Sequence, residues 1–569
     1  MFKNLPTEPQ GFIDWTWSNY EPYYHDLETR SLDGSTVAQW LADWTSISQR
    51  FSETYSRLHV ATTLNTADTE AEQRYHAFIG NVVPAIEAAD QKLKLKLLAS
   101  QLQPIGFEIP LRNMRAEADL FREENLPLLT ENRKLGSEYN KIIGAQSIQW
   151  NGVEITLQQV RPIIQNSDRV TREKAWRAAA DRQLASRTAI NELWVKLMKV
   201  RGQIPRANGL PNFLEYKWRE LLRFDYSPAD SETFQRAIES VAMPAATRIY
   251  NKMRDRLGVK TLRPWDLDLD LYPISFPPLK PYASIEELLD KPSAIFHRVD
   301  PQLGEYYDIM RREKLIDPSN YKGKAPGAYC TEYTVQKRPF VFLNSVGVRD
   351  DVRTLLHECG HAFHVFETNH LPYIQQLQVT MEFAEVASMS MELLAGPYLS
   401  KQNGGFYSEA EATHDRIDHL ERNILFWPYM AVVDAFQHWV YTRIEEATDA
   451  GNCDRKWAEL WRRFIPGVDW SGLEDSMMTG WHRKQHIHRA PLYYVEYGLA
   501  QLGAVQVWRN ALKDQASAVK NYRHALSLGA TVALPELYKA AGAKFAFDAH
   551  TLGEAVELIE SQILQLEKN

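Results

Sequence analysis

The sequence predicts a mainly α-helical protein with one small β segment. Apolar residues recur at three- and four-residue spacing over long stretches, as they do in amphipathic helices. These stretches are residues 36–59, 69–102, 112–142, 171–201 and 230–256, with further runs after residue 400. The one segment with clear strand character is 327–344, where Gly-Ala-Tyr-Cys-Thr and Phe-Val-Phe-Leu are separated by a polar stretch.

Composition excludes several classes of protein. A chain of 569 residues with 44% hydrophobic and 24% charged residues is typical of a globular protein with room for two or more lobes. The net charge of −8 and the lack of lysine and arginine blocks argue against nucleic acid as a partner. No apolar run reaches the roughly 18 residues of a membrane span, and the first residues lack the apolar core of a secretory signal. Because three cysteines are too few for a disulfide framework, we expect a cytoplasmic protein.

The most informative motif is His-Glu-Cys-Gly-His at residues 357–361. Positions i and i+4 share one face of a helix, so His357 and His361 can direct ring nitrogens at one ion. Two histidine ligands with a neighbouring glutamate are typical of zinc peptidases, in which Glu358 would be the general base. The alternative is that both histidines are core or surface residues that bind nothing.

The residues around this motif predict the helix that carries it. Asp350 or Asp351 is expected to be the N-cap. Apolar residues then follow at helical spacing for about five turns. They are Val352, Leu355, Leu356, Cys359, Phe363 and Phe366.

A catalytic zinc ion needs a third protein ligand, and residues 380–394 offer one. Glu382, Glu385 and Glu392 lie on one stripe of this second predicted helix. A buried acidic stripe is costly unless it meets cations or hydrogen-bond donors, which a metal ion and its histidines supply. We assign Glu385 to the metal, and Glu382 and Glu392 to acceptors that fix the histidine rings or other polar groups. A solvated glutamate-rich face is the alternative.

These segments resemble the thimet oligopeptidase and oligoendopeptidase F family of zinc metallopeptidases, in particular its Pz-peptidase-like branch. The resemblance includes His-Glu-Cys-Gly-His-Ala-Phe-His at 357–364 and Phe-Ala-Glu-Val-Ala-Ser at 383–388. It extends to residues 327–331, 434–439 and 491–497. The resemblance implies a two-lobed, mainly helical metallopeptidase that encloses a deep substrate channel, with a small β-sheet next to the zinc helix.

The lobes are expected to divide near residue 190. Residues 1–190 would form an N-terminal helical lobe, and residues 191–569 the catalytic zinc-peptidase lobe. A proline-rich stretch, residues 262–281, cannot hold a regular helix and is the clearest linker-like loop.

Peptide hydrolysis also needs donors for the oxyanion that develops on the attacked carbonyl. Tyr493 and Tyr497 are spaced i, i+4, and Tyr494 and Tyr497 are spaced i, i+3, so two hydroxyls could share one helix face. The resemblance implies that the oxyanion donors are His486 together with Tyr494 or Tyr497. The alternative is that these tyrosines are core residues with a polar tip.

The motifs therefore predict a zinc-dependent peptidase that binds one Zn²⁺ per chain, with neither nucleic acid nor membrane as a partner. The resemblance implies that it is an endopeptidase and that its substrates are short peptides. The edge of the β segment could hydrogen-bond a peptide main chain, unless it is an ordinary structural hairpin. Two other functions remain open. One is a metallocarboxypeptidase, and the other is a peptide-binding protein with a vestigial metal site.

Overall fold

A computed structural model of the protein describes residues 1–66, 68–267, 279–321, 324–325 and 327–568. Within these residues the fold is mainly helical, which confirms the predicted fold class. In chain order, helices α1 to α25 are Trp17–Thr29, Val37–Leu64, Thr69–Ala77, Val83–Ala99, Glu108–Leu120, Leu126–Gly144, Leu157–Ile164, Arg169–Leu184, Arg187–Gln203, Phe213–Glu220, Pro228–Ala237, Met243–Leu257, Ile285–Val299, Pro301–Arg312, Arg349–Thr368, Met381–Ala395, Glu409–Thr442, Ile444–Ala447, Ala450–Phe464, Glu474–Met478, Gln485–Arg489, Tyr494–Ala511, Gln515–Ser527, Leu534–Ala540 and Ala549–Leu566.

Five strands form two small sheets in the described part of the chain. Strands β1 to β5 are Ser147–Trp150, Val153–Thr156, Ile316–Ser319, Tyr329–Tyr333 and Arg338–Ser345. The first two pair as an antiparallel hairpin that the sequence did not predict. The other three form a sheet in the order β3-β5-β4, with β5 parallel to β3 and antiparallel to β4. The predicted segment 327–344 thus becomes β4 and β5, and β4 lies at an edge.

Several helices predicted as continuous are interrupted. Residues 112–142 fall on two helices, α5 and α6, and residues 171–201 fall on α8 and α9. Short π-helical turns, Phe78–Val82 and Ile238–Ala242, divide the predicted helices 69–102 and 230–256. Each π turn comes just before a proline, Pro84 or Pro244, which lacks the N–H needed for a regular i to i−4 hydrogen bond.

The chain folds into two compact units. Unit 1 comprises Met1–Asp119, Lys280–Ala412 and Gly503–Phe545. Unit 2 comprises Leu120–Leu279, Thr413–Leu502 and Ala546–Asn569. Each unit combines segments that are distant in the sequence. The expected lobes, residues 1–190 and 191–569, are each contiguous, and a division near residue 190 stays a prediction. Much of the expected linker, residues 268–278, lies outside the described residues.

The core of unit 1 brings the three-stranded sheet against α15. Strand β5 contributes the fully apolar run Phe340-Val-Phe-Leu343, whose residues are all buried, as expected of a central strand covered on both faces. Helix α15 packs on β5 and also against α16 and α23. The predicted apolar residues of α15, from Val352 to Phe366, are buried. The sheet and α16 thus hold the motif helix from several directions.

Among the described residues, none of the helices combines the length and apolar character needed to cross a membrane.

Candidate metal centre

Helix α15 starts at Arg349, before both of the predicted N-cap residues. Val348 precedes the helix and has no polar side chain, so the cap comes from the carboxylate of Asp351 inside the first turn. Its Oδ2 accepts the backbone N–H groups of Val346, Gly347 and Val348 at 2.9, 2.7 and 3.0 Å. The prediction that Asp350 or Asp351 is the N-cap residue is therefore wrong. Asp351 instead reaches back to the N–H of Val348, which the helix start leaves free, and to the N–H groups of the two residues before it.

The structure brings His357, His361 and Glu385 together in unit 1. The two imidazole rings of α15 have centroids 5.0 Å apart. Oε2 of Glu385, on α16, is 3.3 Å from Nε2 of His357 and 3.7 Å from Nε2 of His361. One ligand atom of each residue lies within 4.8 Å of the others, so the three could hold a single metal ion.

The other two glutamates of the stripe differ in their surroundings. Oε1 of Glu392 is 2.7 Å from Nδ1 of His357, on the ring edge opposite the nitrogen that faces Glu385. This contact fixes the orientation of the His357 ring, as carboxylates commonly do for metal-binding histidines. Glu382 is buried on α16, where its backbone carbonyl accepts a hydrogen bond from the Tyr538 hydroxyl at 3.3 Å. A role for Glu382 at the metal stays a prediction.

Sequence reasoning missed Ser388, which lies three residues after Glu385 on α16. The Ser388 hydroxyl donates to Oε2 of Glu385 at 3.0 Å and is fully buried. The i, i+3 spacing on a predicted helix was the available signal. This hydrogen bond holds the glutamate side chain toward the two histidines.

Gly360 allows α15 and α16 to approach closely enough for these contacts. A Cβ atom at this position would lie 2.5 Å from the Cα of Ser388 and 2.7 Å from the carbonyl oxygen of Ala387. Both atoms belong to the backbone of α16, which cannot move aside as a side chain can. The glycine inside the motif therefore serves helix packing, since Gly is otherwise unfavourable within a helix.

Burial and the neighbouring charges set the protonation of the cluster. Burial lowers the pKa of His357, but its contacts with Glu385 and Glu392 outweigh burial and raise that pKa well above its usual value. Burial lowers the pKa of His361 to about 4. For Glu385, burial raises the pKa, and the hydrogen bond with His357 and the nearby imidazoles outweigh it, so the pKa is lowered. A carboxylate and a neutral imidazole are the forms that bind metals. Glu385 and His361 have these forms near neutral pH, whereas His357 must lose a proton when a metal binds.

Glu358 lies beside these ligands but differs from them in its environment. It is buried on α15, and its Oε2 has no hydrogen-bond partner among the described residues. Burial raises the pKa of Glu358 to about 7, against the opposing effect of His357. A carboxylate with this pKa can exchange protons near neutral pH, as a general base must.

The predicted oxyanion donors cluster in unit 2. The His486 ring lies 5.7, 5.2 and 5.9 Å from the rings of Tyr493, Tyr494 and Tyr497, measured between centroids. Tyr494 is the first residue of α22 and Tyr497 lies one turn later, while Tyr493 precedes the helix. Tyr494 is buried, whereas Tyr493 and Tyr497 are partly exposed. The structure thus groups the four predicted side chains with one another.

Buried polar residues anchor this segment, and no sequence pattern indicated them. Leu492 has a positive φ of 64°. Its N–H donates to Oε1 of Gln437 at 2.7 Å, and its carbonyl accepts from the Arg223 guanidinium at 2.7 Å. Arg223 also pairs with Glu496 at 2.5 Å, and both side chains are almost fully buried. The uncommon backbone conformation of Leu492 is therefore held from both sides.

A second arginine fixes the segment that carries His486. Arg201 is fully buried and donates to the carbonyl oxygens of Ile487, at 3.0 Å, and His488. It also donates to the Tyr441 hydroxyl at 2.6 Å. These bonds satisfy carbonyls of the short helix α21, which would otherwise be buried without partners.

The chain is similar in fold or sequence to several known peptidases. A solved structure of Pz peptidase A with an inhibitor is 25% identical to the chain, with a TM-score of 0.89 and 99% of each chain covered. Oligopeptidase PepF of Bacillus subtilis (strain 168) is 25% identical over 276 residues, which is 47% of this chain and 39% of the relative. An oligoendopeptidase F homolog of Mycoplasma pneumoniae (strain ATCC 29342 / M129 / Subtype 1) is 23% identical over 411 residues, 65% of this chain and 64% of the relative. The matches thus span less than two thirds of the length of these curated relatives.

A family model also matches the sequence. The model described as Peptidase family M3 matches residues 163–555, which is more than half of the chain and includes every residue of the candidate metal centre. The protein therefore belongs to peptidase family M3.

Proposed function

We propose that this protein is a zinc-dependent endopeptidase that hydrolyses internal bonds of short oligopeptides. The observation that carries the proposal is the convergence of His357, His361 and Glu385, with the buried carboxylate of Glu358 beside them. Membership of a peptidase family and the names of the similar proteins support the reaction class.

The donor set fits zinc. Two imidazole nitrogens and one carboxylate oxygen are a common ligand set for catalytic zinc, which keeps a fourth position open. With metal–ligand distances of about 2.0–2.1 Å, neighbouring ligand atoms of a tetrahedral site lie roughly 3.3 Å apart. The distances of 3.3 and 3.7 Å from Glu385 to the two histidines are close to that value. When bound, zinc would polarise the peptide carbonyl and make water a stronger nucleophile.

The protein side chains would supply the proton transfers. Glu358 takes a proton from the attacking water and passes it to the leaving amine, which its pKa of about 7 permits in both directions. His486 with Tyr494 or Tyr497 donates hydrogen bonds to the developing oxyanion, a role supported by the resemblance and by their clustering in unit 2. Removal of one such donor typically lowers the rate by about 10²–10³.

Strand β4 would bind the peptide main chain. It lies at the edge of its sheet and packs against α15, so its outer N–H and C=O groups can pair with an extended peptide. Main-chain pairing of this kind does not depend on side chains, which suits broad specificity. The deep channel, the size limit on substrates and the cytoplasmic location stay predictions.

Cleavage of an internally quenched short peptide, with and without a chelator, tests the proposal. We expect activity that chelation abolishes and zinc restores, and a loss of about 10² or more in E358Q with zinc still bound. The matched control is E305Q, since Glu305 is an exposed glutamate on α14 and should be dispensable. Full activity in E358Q would refute the proposed mechanism.

Two further measurements separate the alternatives. A carboxypeptidase releases C-terminal residues one at a time, so blocking the C-terminus of the substrate should abolish its activity but leave an endopeptidase active. Comparison of a short peptide with an unfolded protein tests the size limit. Cleavage of both at similar rates would contradict a preference for short substrates.

A further inference from the structure

Lys484 makes a close contact with one of the predicted oxyanion donors. It precedes α21 in unit 2, and its Nζ donates a hydrogen bond to the Tyr494 hydroxyl at 2.6 Å. The same Nζ lies 4.2 Å from the centroid of the Tyr494 ring and 5.1 Å from that of Tyr429. The ammonium group is therefore within cation–π distance of two aromatic rings, and this attraction adds to the hydrogen bond.

The chemistry of the pair fixes the direction of its hydrogen bond. An ammonium group has three donors and no acceptor, so the Tyr494 oxygen must accept. Burial lowers the pKa of Lys484 to about 8, which leaves the ammonium form dominant at neutral pH. In the described part of the chain, the Tyr494 hydroxyl makes no other hydrogen bond. Its own hydrogen is therefore available to a ligand.

We infer that Lys484 is a positioning residue that orients the Tyr494 hydroxyl so that it donates to the carbonyl oxygen of the bound peptide. The inference rests on the proposed peptidase function. It selects Tyr494 as a donor where the sequence left Tyr494 and Tyr497 open. The nearby positive charge also favours the partial negative charge that Tyr494 acquires when it donates to an oxyanion.

The kinetic test uses the zinc-loaded full chain and an internally quenched peptide. We expect K484M to lower kcat about tenfold and to change KM less than about twofold. A misoriented Tyr494 hydroxyl would lose part of the roughly 10²–10³-fold rate enhancement that one oxyanion donor supplies. K484R, which keeps a charged donor, should recover most of the loss. The matched control is K199M, because Lys199 is an exposed lysine of α9 in unit 2 and should leave the kinetics unchanged.

A double-mutant comparison separates positioning from a general structural effect. In the Y494F background K484M should change kcat less than about twofold, because the hydroxyl that Lys484 orients is already gone. An equal loss of kcat in both backgrounds, or wild-type kcat in K484M, would overturn the inference. If K484M does not fold, K484Q serves instead, because its shorter neutral amide lacks the ammonium group.

A measurement that does not depend on activity distinguishes failure of this inference from failure of the proposed function. The ¹³Cζ resonance of Tyr494, assigned by its absence in Y494F, should shift in K484M and remain in place in K199M. An unmoved resonance would overturn the Lys484 contact while leaving the peptidase proposal intact. A shifted resonance in a protein without chelator-sensitive activity would refute the proposed function, and with it the substrate role of Tyr494.

Discussion

Substitution of Gly360 by alanine tests whether close packing of α15 and α16 builds the metal centre. The added Cβ would lie 2.5 Å from the Cα of Ser388, about 0.9 Å short of the 3.4 Å at which ordinary contact begins. Because the obstructing atoms are backbone, the two helices must separate by a comparable distance. Overpacking of this kind typically lowers the free energy of unfolding by about 1–3 kcal/mol.

The same separation should weaken metal binding. Glu385 is carried by α16 within one turn of Ser388, whereas His357 and His361 are on α15, so parting the helices moves one ligand from the other two. Metal sites tolerate errors of only about 0.2 Å in ligand position. We expect zinc affinity to fall at least roughly 100-fold, which corresponds to about 2.7 kcal/mol.

Zinc titration with a competing chelator and unfolding in urea measure the two effects in G360A. The matched control is G553A, because Gly553 also lies inside a helix, α25, and its Cβ would meet only Val241 at 4.0 Å. That variant should be as stable as the wild type or gain up to about 1 kcal/mol from higher helix propensity. Wild-type zinc affinity in G360A would refute the packing argument.

Three further predictions concern the metal centre of unit 1 and the Arg223–Glu496 ion pair of unit 2. E392Q should lower zinc affinity about 10–100-fold by weakening the hold on the His357 ring, whose Nδ1 lies 2.7 Å from Glu392; an unchanged dissociation constant in a chelator competition would contradict this. The pKa of His357 is raised in the metal-free protein, so zinc must displace the proton of this ring when it binds. Calorimetry in buffers of different ionisation enthalpy should detect this proton release, and the affinity for zinc should fall as pH falls. The raised pKa of His357 likewise stabilises the metal-free protein at low pH, a contribution that is lost as pH rises through that pKa. R223M should lower the free energy of unfolding by about 3–5 kcal/mol because it breaks the buried ion pair between Arg223 and Glu496. R223M/E496M should recover much of this loss in urea unfolding, and equal losses in both variants would count against the ion pair.

The helical fold and the two histidines could be predicted because helical periodicity is a local property. His357 and His361 share a helix face whatever packs against it, and the apolar residues of α15 occupy the core as their spacing indicated. The helix boundaries were less predictable. The π turns before Pro84 and Pro244 are subtle in sequence, and the cap from Asp351 depends on how the chain enters α15.

By itself, the sequence determined the chemistry available to this protein: two imidazoles and a carboxylate on one helix turn, and a glutamate stripe on another helix. Only the tertiary structure decided which partners each group has. It placed Glu385 next to both histidines, Glu392 at Nδ1 of His357, and the Lys484 ammonium group at the Tyr494 hydroxyl. The reason is physical, since spacing along a helix fixes which side chains share a face, whereas contacts between helices depend on packing that residues such as Gly360 permit.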